Sequence, residues 1–256
     1  LCPVGALNNK PYRYKARTWD LKQICGISPH DCIGSNINYH TYNNKIVRAV
    51  PFENLAINQT WISDRDRFGY EGIYSNDRLD KTLIRKNGKL VELDFDSVSS
   101  EVNNLIISNI KKHGRKEIGC LISGQSTSEE LFLFQKIFKG LEISNIDHRT
   151  KERDFSYQKS FPIMPSLGCN IDDLHLYKNI ILIGVNVKTE YPILSVRLNT
   201  ATKGNSKIYS FNFSSLDENF PLYYKKVIDD NNIEPLLNTN DLGLDNGETL
   251  IILGPL

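Results

Sequence analysis

From Asp96 onwards, strand-length apolar runs alternate with helix-length amphipathic ones, and this alternation limits the fold more than any other feature of the chain. Val98, Val102, Leu105, Ile106 and Ile110 recur at helical spacing behind Asp96, read as the N-cap, and the pattern stops at His113-Gly114. Ile118 to Ile122 reads as a strand. A helix opens at Ser126 to Glu130 and runs to Lys139-Gly140, and Leu141-Glu142-Ile143 begins another extended stretch. The unit then repeats: Asn179 to Val185 is a strand, Pro192 to Thr202 a helix, and Lys207 to Phe211 a strand. Thr249 to Gly254 reads as one more. Strands separated by helices of this length are expected to lie parallel, and the unbroken run Ile180 to Ile183 suits a strand buried on both faces.

The part before Asp96 reads differently. Gly26 and Pro29 oppose a helix between Ile24 and Cys32, Ser35 to His40 alternates as a strand does, and Asn43-Asn44 is a turn leading into Lys45 to Val50, which Pro51 ends. Phe52 to Asp80 is irregular, with Ser63-Asp64 placed to cap a short helix through Tyr70. A hairpin follows, Leu83-Ile84-Arg85 joined to Lys89-Leu90-Val91 across Lys86-Asn87-Gly88. The expected fold class is therefore α/β: a small β-rich section followed by a truncated α/β domain with a mainly parallel sheet.

Composition excludes several classes of function. A net charge of +1 over 256 residues gives no electrostatic reason to expect nucleic acid, although Lys10, Arg13, Tyr14, Lys15 and Arg17 interleave charge and rings as a connector or a docked segment would. No window approaches the roughly 20 apolar residues of a membrane span, so membrane association is expected only through partner proteins. The five cysteines, Cys2, Cys25, Cys32, Cys120 and Cys169, are odd in number and scattered, which fits a reducing compartment better than a disulfide framework. No G-x-G-x-x-G or P-loop pattern is present, and Gly124-Gln125-Ser126 alone makes no case for a nucleotide. Residue 1 is Leu, Met164 is the single Met, and the last residues read as a buried strand; a segment or split-gene part is the expectation.

Cys2 followed by Pro3 is how a run of iron-sulphur ligands commonly ends, and one thiolate requires three more from residues outside this sequence. Cys120, within an apolar strand, reads as core; Cys169 reads as a loop thiol; His113, His148 and His175 stand outside any catalytic pattern.

Several ordered blocks then resemble one family. Leu1 to Leu7, Lys10-Pro11-Tyr12, Ala16 to Leu21, Gly34 to Ile37, Trp61 to Arg65 and Arg67 to Gly72 resemble the large iron-sulphur subunit of respiratory complex I, NADH:quinone oxidoreductase. Gly184-Val185-Asn186, Glu190-Tyr191-Pro192 and Arg197 look like that family's molybdopterin-oxidoreductase-type domain. The resemblance implies three parts: 1–18 as the end of a ferredoxin-like cluster module with its linker, 19–95 as a β-rich section similar to a 4Fe-4S domain of molybdenum enzymes, and 96–256 as a partial molybdopterin-oxidoreductase-like domain. It implies that Cys2 is the last ligand of one 4Fe-4S cluster, shared with a ferredoxin-like part. It also implies other hydrophilic-arm subunits of complex I as partners, no active site of the chain's own, and a place at the mitochondrial inner membrane, matrix side, or the cytoplasmic side of a bacterial membrane.

Some members of the family carry a further cluster on C-x2-C-x3-C and a fourth Cys before Arg-Phe-Gly-Tyr. Here that block reads Cys25-x2-Ser28-x3-Cys32, and the fourth position is Ser63. Serine is a poor substitute for a soft thiolate, so no second cluster is expected at Cys25/Cys32. A zinc site from Cys25, His30, Cys32 and His40 is an alternative reading of the same residues. The family keeps this fold without molybdopterin, and none is expected here. The alternatives for the chain as a whole are a fragment of a molybdopterin-dependent oxidoreductase such as a formate dehydrogenase, and a purely structural assembly subunit.

Overall fold

The computed structural model describes Cys2 and residues 4–149, 159–160, 166–229, 242–244 and 246–254. Leu1 and Pro3, which frame Cys2 in the ligand pattern, lie outside the described residues. The chain divides into two compact units, one built from Leu1–Glu71 with Phe155–Leu256 and the other from Gly72–Asp154.

The first unit begins with an antiparallel sheet, β1 (Lys22–Ile27), β2 (Asn36–Tyr42) and β3 (Lys45–Pro51), in the order β1-β2-β3. Asn43 and Asn44 turn β2 into β3 with φ of 49° and 60°, the left-handed pair that a two-residue hairpin requires. Ile37 and Ala49 carry one face of this sheet against Ile62 and Tyr70. Helix α1 (Asp64–Phe68) starts at Ser63 and runs on into a 3-10 turn, Gly69–Tyr74.

The second unit holds the hairpin β4 (Leu83–Lys86) and β5 (Lys89–Glu92), then α2 (Phe95–His113), β6 (Cys120–Leu121), α3 (Ser128–Gly140) and β7 (Ile146–Asp147), which pairs parallel with β6. The cap of α2 is Asp94, two residues before the expected Asp96: its carboxylate accepts from the Ser97 N–H at 2.9 Å and the Ser97 hydroxyl at 2.6 Å. Asp96 sits in the first turn, where negative charge suits the helix dipole. The strand expected over Ile118 to Ile122 shrinks to two residues, and Cys120 in it is half-buried rather than core. Leu141 to Ile143 is a turn, with Glu142 at φ 58°, not the start of a strand. Neither α2 nor α3 buries a residue, and Ile143 is the one buried hydrophobic among the described residues of this unit. A cavity of about 550 Å³ opens between α3 and the β6–β7 ladder.

The rest of the first unit is β8 (Asn179–Ile183), α4 (Val187–Glu190), α5 (Pro192–Lys203), β9 (Lys207–Asn212), β10 (Tyr224–Val227) and β11 (Thr249–Leu253), forming an all-parallel sheet in the order β10-β9-β8-β11. Central strands β8 and β9 are apolar on both faces because both are covered. Ile180, Leu182, Ile208 and Ile252 meet Leu194, Leu198 and Ala201 of α5, while Ile181, Tyr209 and Phe211 meet Ile228 and Leu242 opposite. Pro192 opens α5 at its first turn, where the missing N–H costs nothing. A small β-rich section followed by an α/β region on a parallel sheet is the architecture expected from the sequence.

Candidate metal centre

Cys2 lies half-buried at the mouth of a tight turn. The Gly5 N–H donates to the Cys2 carbonyl at 3.2 Å, and Gly5 takes a φ of 69° that lets the chain fold back. The backbone N–H groups of Leu7, Val4 and Ala6 near the thiol hold the Cys2 pKa below that of an ordinary thiol, outweighing the opposite push of burial. Donors that favour the thiolate make a better metal ligand, because the thiolate is the coordinating form. The segment that follows is tied to the three-stranded sheet. Arg48 places its guanidinium 4.3 Å from the Tyr12 ring centroid and donates through Nε to His40 Nδ1 at 2.9 Å, and the Tyr12 hydroxyl donates to the Ala16 carbonyl.

The second block resolves in an unforeseen way. Ser28 and Ser63 meet on one carboxylate, that of Asp66. The Ser28 hydroxyl donates to Asp66 Oδ1 at 2.5 Å and the Ser63 hydroxyl to Oδ2 at 2.8 Å, while Asp66 and Ser63 complete a capping box for α1. All three side chains are buried. Asp31 lies beside them, almost wholly enclosed, with Arg65 3.7 Å away. Burial raises the Asp31 carboxyl above the usual carboxylate range, and the neighbouring Asp66 adds to the rise. Sequence reasoning missed Asp66 and Asp31; the signal for Asp66 was the Ser63-x-x-Asp66 spacing of a capping box.

Cys25 and Cys32 are not brought to this point. Register pairs Cys25 with Asn38 and Gln23 with His40, so Cys25 stands on the Asn38/His40 face of the sheet, opposite to the face that meets Ile62 and Tyr70. The zinc alternative also fails to assemble. His40 is occupied by Arg48, His30 packs on Gly69, and no group of three or more His, Cys, Asp or Glu side chains placed for a metal ion occurs among the described residues. Of these residues, Cys2 is the thiol whose surroundings favour the coordinating, deprotonated form.

In the α/β part, Arg197 is buried and reaches back to the first section: it donates to the carbonyls of Leu55 and Ile57, the latter at 3.0 Å, and to Asp172 Oδ1 at 2.9 Å. Arg65 donates to the Glu190 carbonyl at 2.8 Å. Glu190 and Arg197, read from the sequence as marks of a cofactor-type domain, thus join the small sheet to the parallel one. Asn186 caps α4 by accepting from the Thr189 N–H. Where the strand order reverses, between β8 and β11, an open α/β sheet would offer a ligand crevice. Here the Gly254 N–H donates to the Ile183 carbonyl at 2.9 Å, and a Cβ on Gly254 would collide with the Gly184 carbonyl oxygen. Backbone fills that gap.

Residues 78–230 match the family Molybdopterin oxidoreductase. The chain belongs to that family. Residues 21–71 match a second family, NADH-ubiquinone oxidoreductase NDSU1/NuoG-like, 4Fe-4S domain. The chain is 37% identical over 201 residues to an NADH-quinone oxidoreductase subunit of Rickettsia typhi, covering 77% of this chain and 28% of that protein. It is 29% identical over 231 residues to the NADH-ubiquinone oxidoreductase 75 kDa subunit of Reclinomonas americana, covering 82% and 32%. Acetylene hydratase from Pelobacter acetylenicus shares the fold, with a TM-score of 0.55 at 12% identity over 75% of this chain and 27% of that one. The resemblance to a segment of the complex I large subunit is borne out, and the chain spans roughly three-tenths of the length of these relatives.

Proposed function

We propose that this chain contributes one cluster ligand and a scaffold to the hydrophilic arm of a proton-translocating NADH:ubiquinone oxidoreductase, in the electron path from NADH to quinone. Cys2 is the ligand, of a 4Fe-4S cluster whose other three thiolates come from residues outside this sequence. The observation that carries the reading is the turn of Val4 to Leu7, whose amides favour the Cys2 thiolate. The cluster, when bound, supplies one-electron transfer; the chain's residues fix its position and, through the N–H groups around the sulphur, tune it.

The same reading divides the chain into a module end and linker at 1–18, a β-rich section at 19–95 and a partial α/β domain at 96–256, without an active site of its own. Its partners are other hydrophilic-arm subunits, among them a ferredoxin-like cluster-bearing part. Its place is the matrix side of a mitochondrial inner membrane, or the cytoplasmic side of a bacterial one, reached through the complex; no helix among the described residues is long and apolar enough to cross a membrane. We infer no second cluster, a view supported by the engagement of Ser28 and Ser63 with Asp66. We infer no molybdopterin, a view supported by the backbone that fills the gap between β8 and β11.

Cys2→Ser in the assembled complex tests the ligand role. The expected result is loss of one 4Fe-4S signal in the electron paramagnetic resonance spectrum of the NADH-reduced complex, with slower NADH-to-quinone flux. An unchanged cluster spectrum and unchanged flux would remove Cys2 from the relay.

A further inference from the structure

The two edges of the three-stranded sheet are treated very differently. The Ser28 N–H donates to the Ser35 carbonyl, and the β1–β2 register continues that pair through Gly26 and Ile37, Ile24 and Tyr39, and Lys22 and Thr41. Alternation in an antiparallel ladder then turns the N–H and C=O groups of Gln23, Cys25 and Ile27 away from β2, towards the open side. On the far edge the Phe52 N–H donates to the Asn36 carbonyl, so the outward groups of β3 belong to Val47, Ala49 and Pro51. That edge is guarded: the Tyr70 hydroxyl donates to the Val47 carbonyl at 2.9 Å, and Pro51 has no N–H to offer.

Among the described residues, nothing comparable guards β1. It is exposed along almost its whole length and carries Ile24 at 55% and Ile27 at 65% exposure, without a proline, a bulge or an inward charge. An apolar open edge of this kind is a template for an added strand. Val4, Leu7, Tyr14 and Trp19 in the preceding segment are exposed as well, the last at 79%. Residues 4–27 also hold Lys10, Arg13, Lys15, Arg17 and Lys22 against the single acid Asp20, in a chain of near-zero net charge. Tyr12 and Arg48 fasten this segment to the sheet face that also presents Gln23 and Cys25.

We infer that β1 receives an extended strand from the acidic polypeptide segment that supplies the remaining thiolates of the Cys2 cluster. The inference rests on the cluster-ligand reading of Cys2, because any segment that completes that site must come against Val4 and Leu7. The apolar edge gives it a register, through main-chain bonds to Gln23, Cys25 and Ile27, and the basic run selects an acidic surface.

Hydrogen–deuterium exchange on the isolated chain and on the assembled complex tests this. The amides of Gln23, Cys25 and Ile27 are expected to exchange rapidly in the chain alone and at least tenfold more slowly in the complex. Protection of residues 4–7 without protection of 23, 25 and 27 would overturn the added strand while leaving the Cys2 role standing. Loss of protection at both places would count against both readings. A second variant guards against misfolding: Cys25→Pro removes an outward donor and leaves the β1–β2 ladder intact, so the isolated chain should keep its melting temperature while its incorporation into the complex falls. Normal incorporation of that variant would overturn the proposal, as would concentration-dependent pairing of the isolated chain through β1 in sedimentation, which would make a second copy the occupant.

Discussion

The Ser28 hydroxyl and the Asp66 carboxylate, 38 positions apart, meet at 2.5 Å in a buried site that Ser63 completes from the other side. The two positions that the resemblance reads as thiolate sites carry hydroxyls here, and one carboxylate joins them.

Asp66→Ala leaves both hydroxyls without their acceptor and removes the capping box of α1. The expected loss is about 2–4 kcal/mol, the sum of a lost cap and of buried polar groups left unpaired. Urea unfolding of the chain measures it, with Asp66→Asn falling between because its amide oxygen still serves one hydroxyl. A shift within about 0.5 kcal/mol for the alanine variant would mean that the contact contributes little.

Asp31 gives a pH dependence of definite sign. Burial, aided by Asp66, raises its folded-state pKa above the unfolded value of 3.8, so the folded chain binds that proton more tightly than the unfolded chain does. Its contribution favours folding below the unfolded value and is lost as pH rises through the raised folded value. Asp31→Asn, which can keep the bond from the Ile33 N–H, should therefore be more stable than wild type at pH 7, with the advantage shrinking towards pH 4. An advantage that grows on acidification would show that the 3.7 Å pairing with Arg65 dominates instead.

Arg197 serves three acceptors with one planar fork, two of them backbone carbonyls. Arg197→Met should lower stability by about 2–4 kcal/mol, since the carbonyls of Leu55 and Ile57 lose their donor. Arg197→Lys should recover little of it, because an ammonium is a point charge without the fork. Full recovery by lysine in a thermal melt would assign the effect to charge alone.

The close approach at Gly254 is equally specific. A Cβ there would run into the Gly184 carbonyl oxygen and stand 2.8 Å from the Val185 Cα, all backbone, so nothing flexible can yield. Gly254→Ala should destabilise the β8–β11 pairing by about 1–3 kcal/mol, the usual cost of overpacking, read as faster amide exchange at Leu250 and Ile252, whose N–H groups face β8 in the parallel register. Unchanged exchange at those amides would show that the strand ends separate freely.

Much of this was legible because it was local. The apolar run of β8, the proline that opens α5, the Asn43-Asn44 turn and the Ser63 cap each declare themselves within a few residues. Strand β10 did not, because Lys225 and Lys226 give an edge strand the composition of a loop. Asp94 and Asp96 are chemically equal candidates two residues apart, and only the Ser97 contact tells them apart. The meeting of Ser28 with Asp66 depends on the path of the intervening hairpin, which spacing alone does not reveal. The same path explains why Cys25, next to Ser28 in the ligand pattern, ends on the other face: one step along a strand reverses the side.

The near absence of enclosed side chains among the described residues of Gly72–Asp154 bears on where the chain comes apart. With Ile143 alone fully packed among its described residues, this unit opens at a free energy far below that of the parallel sheet. Limited proteolysis of the chain is therefore expected to cut within this unit first.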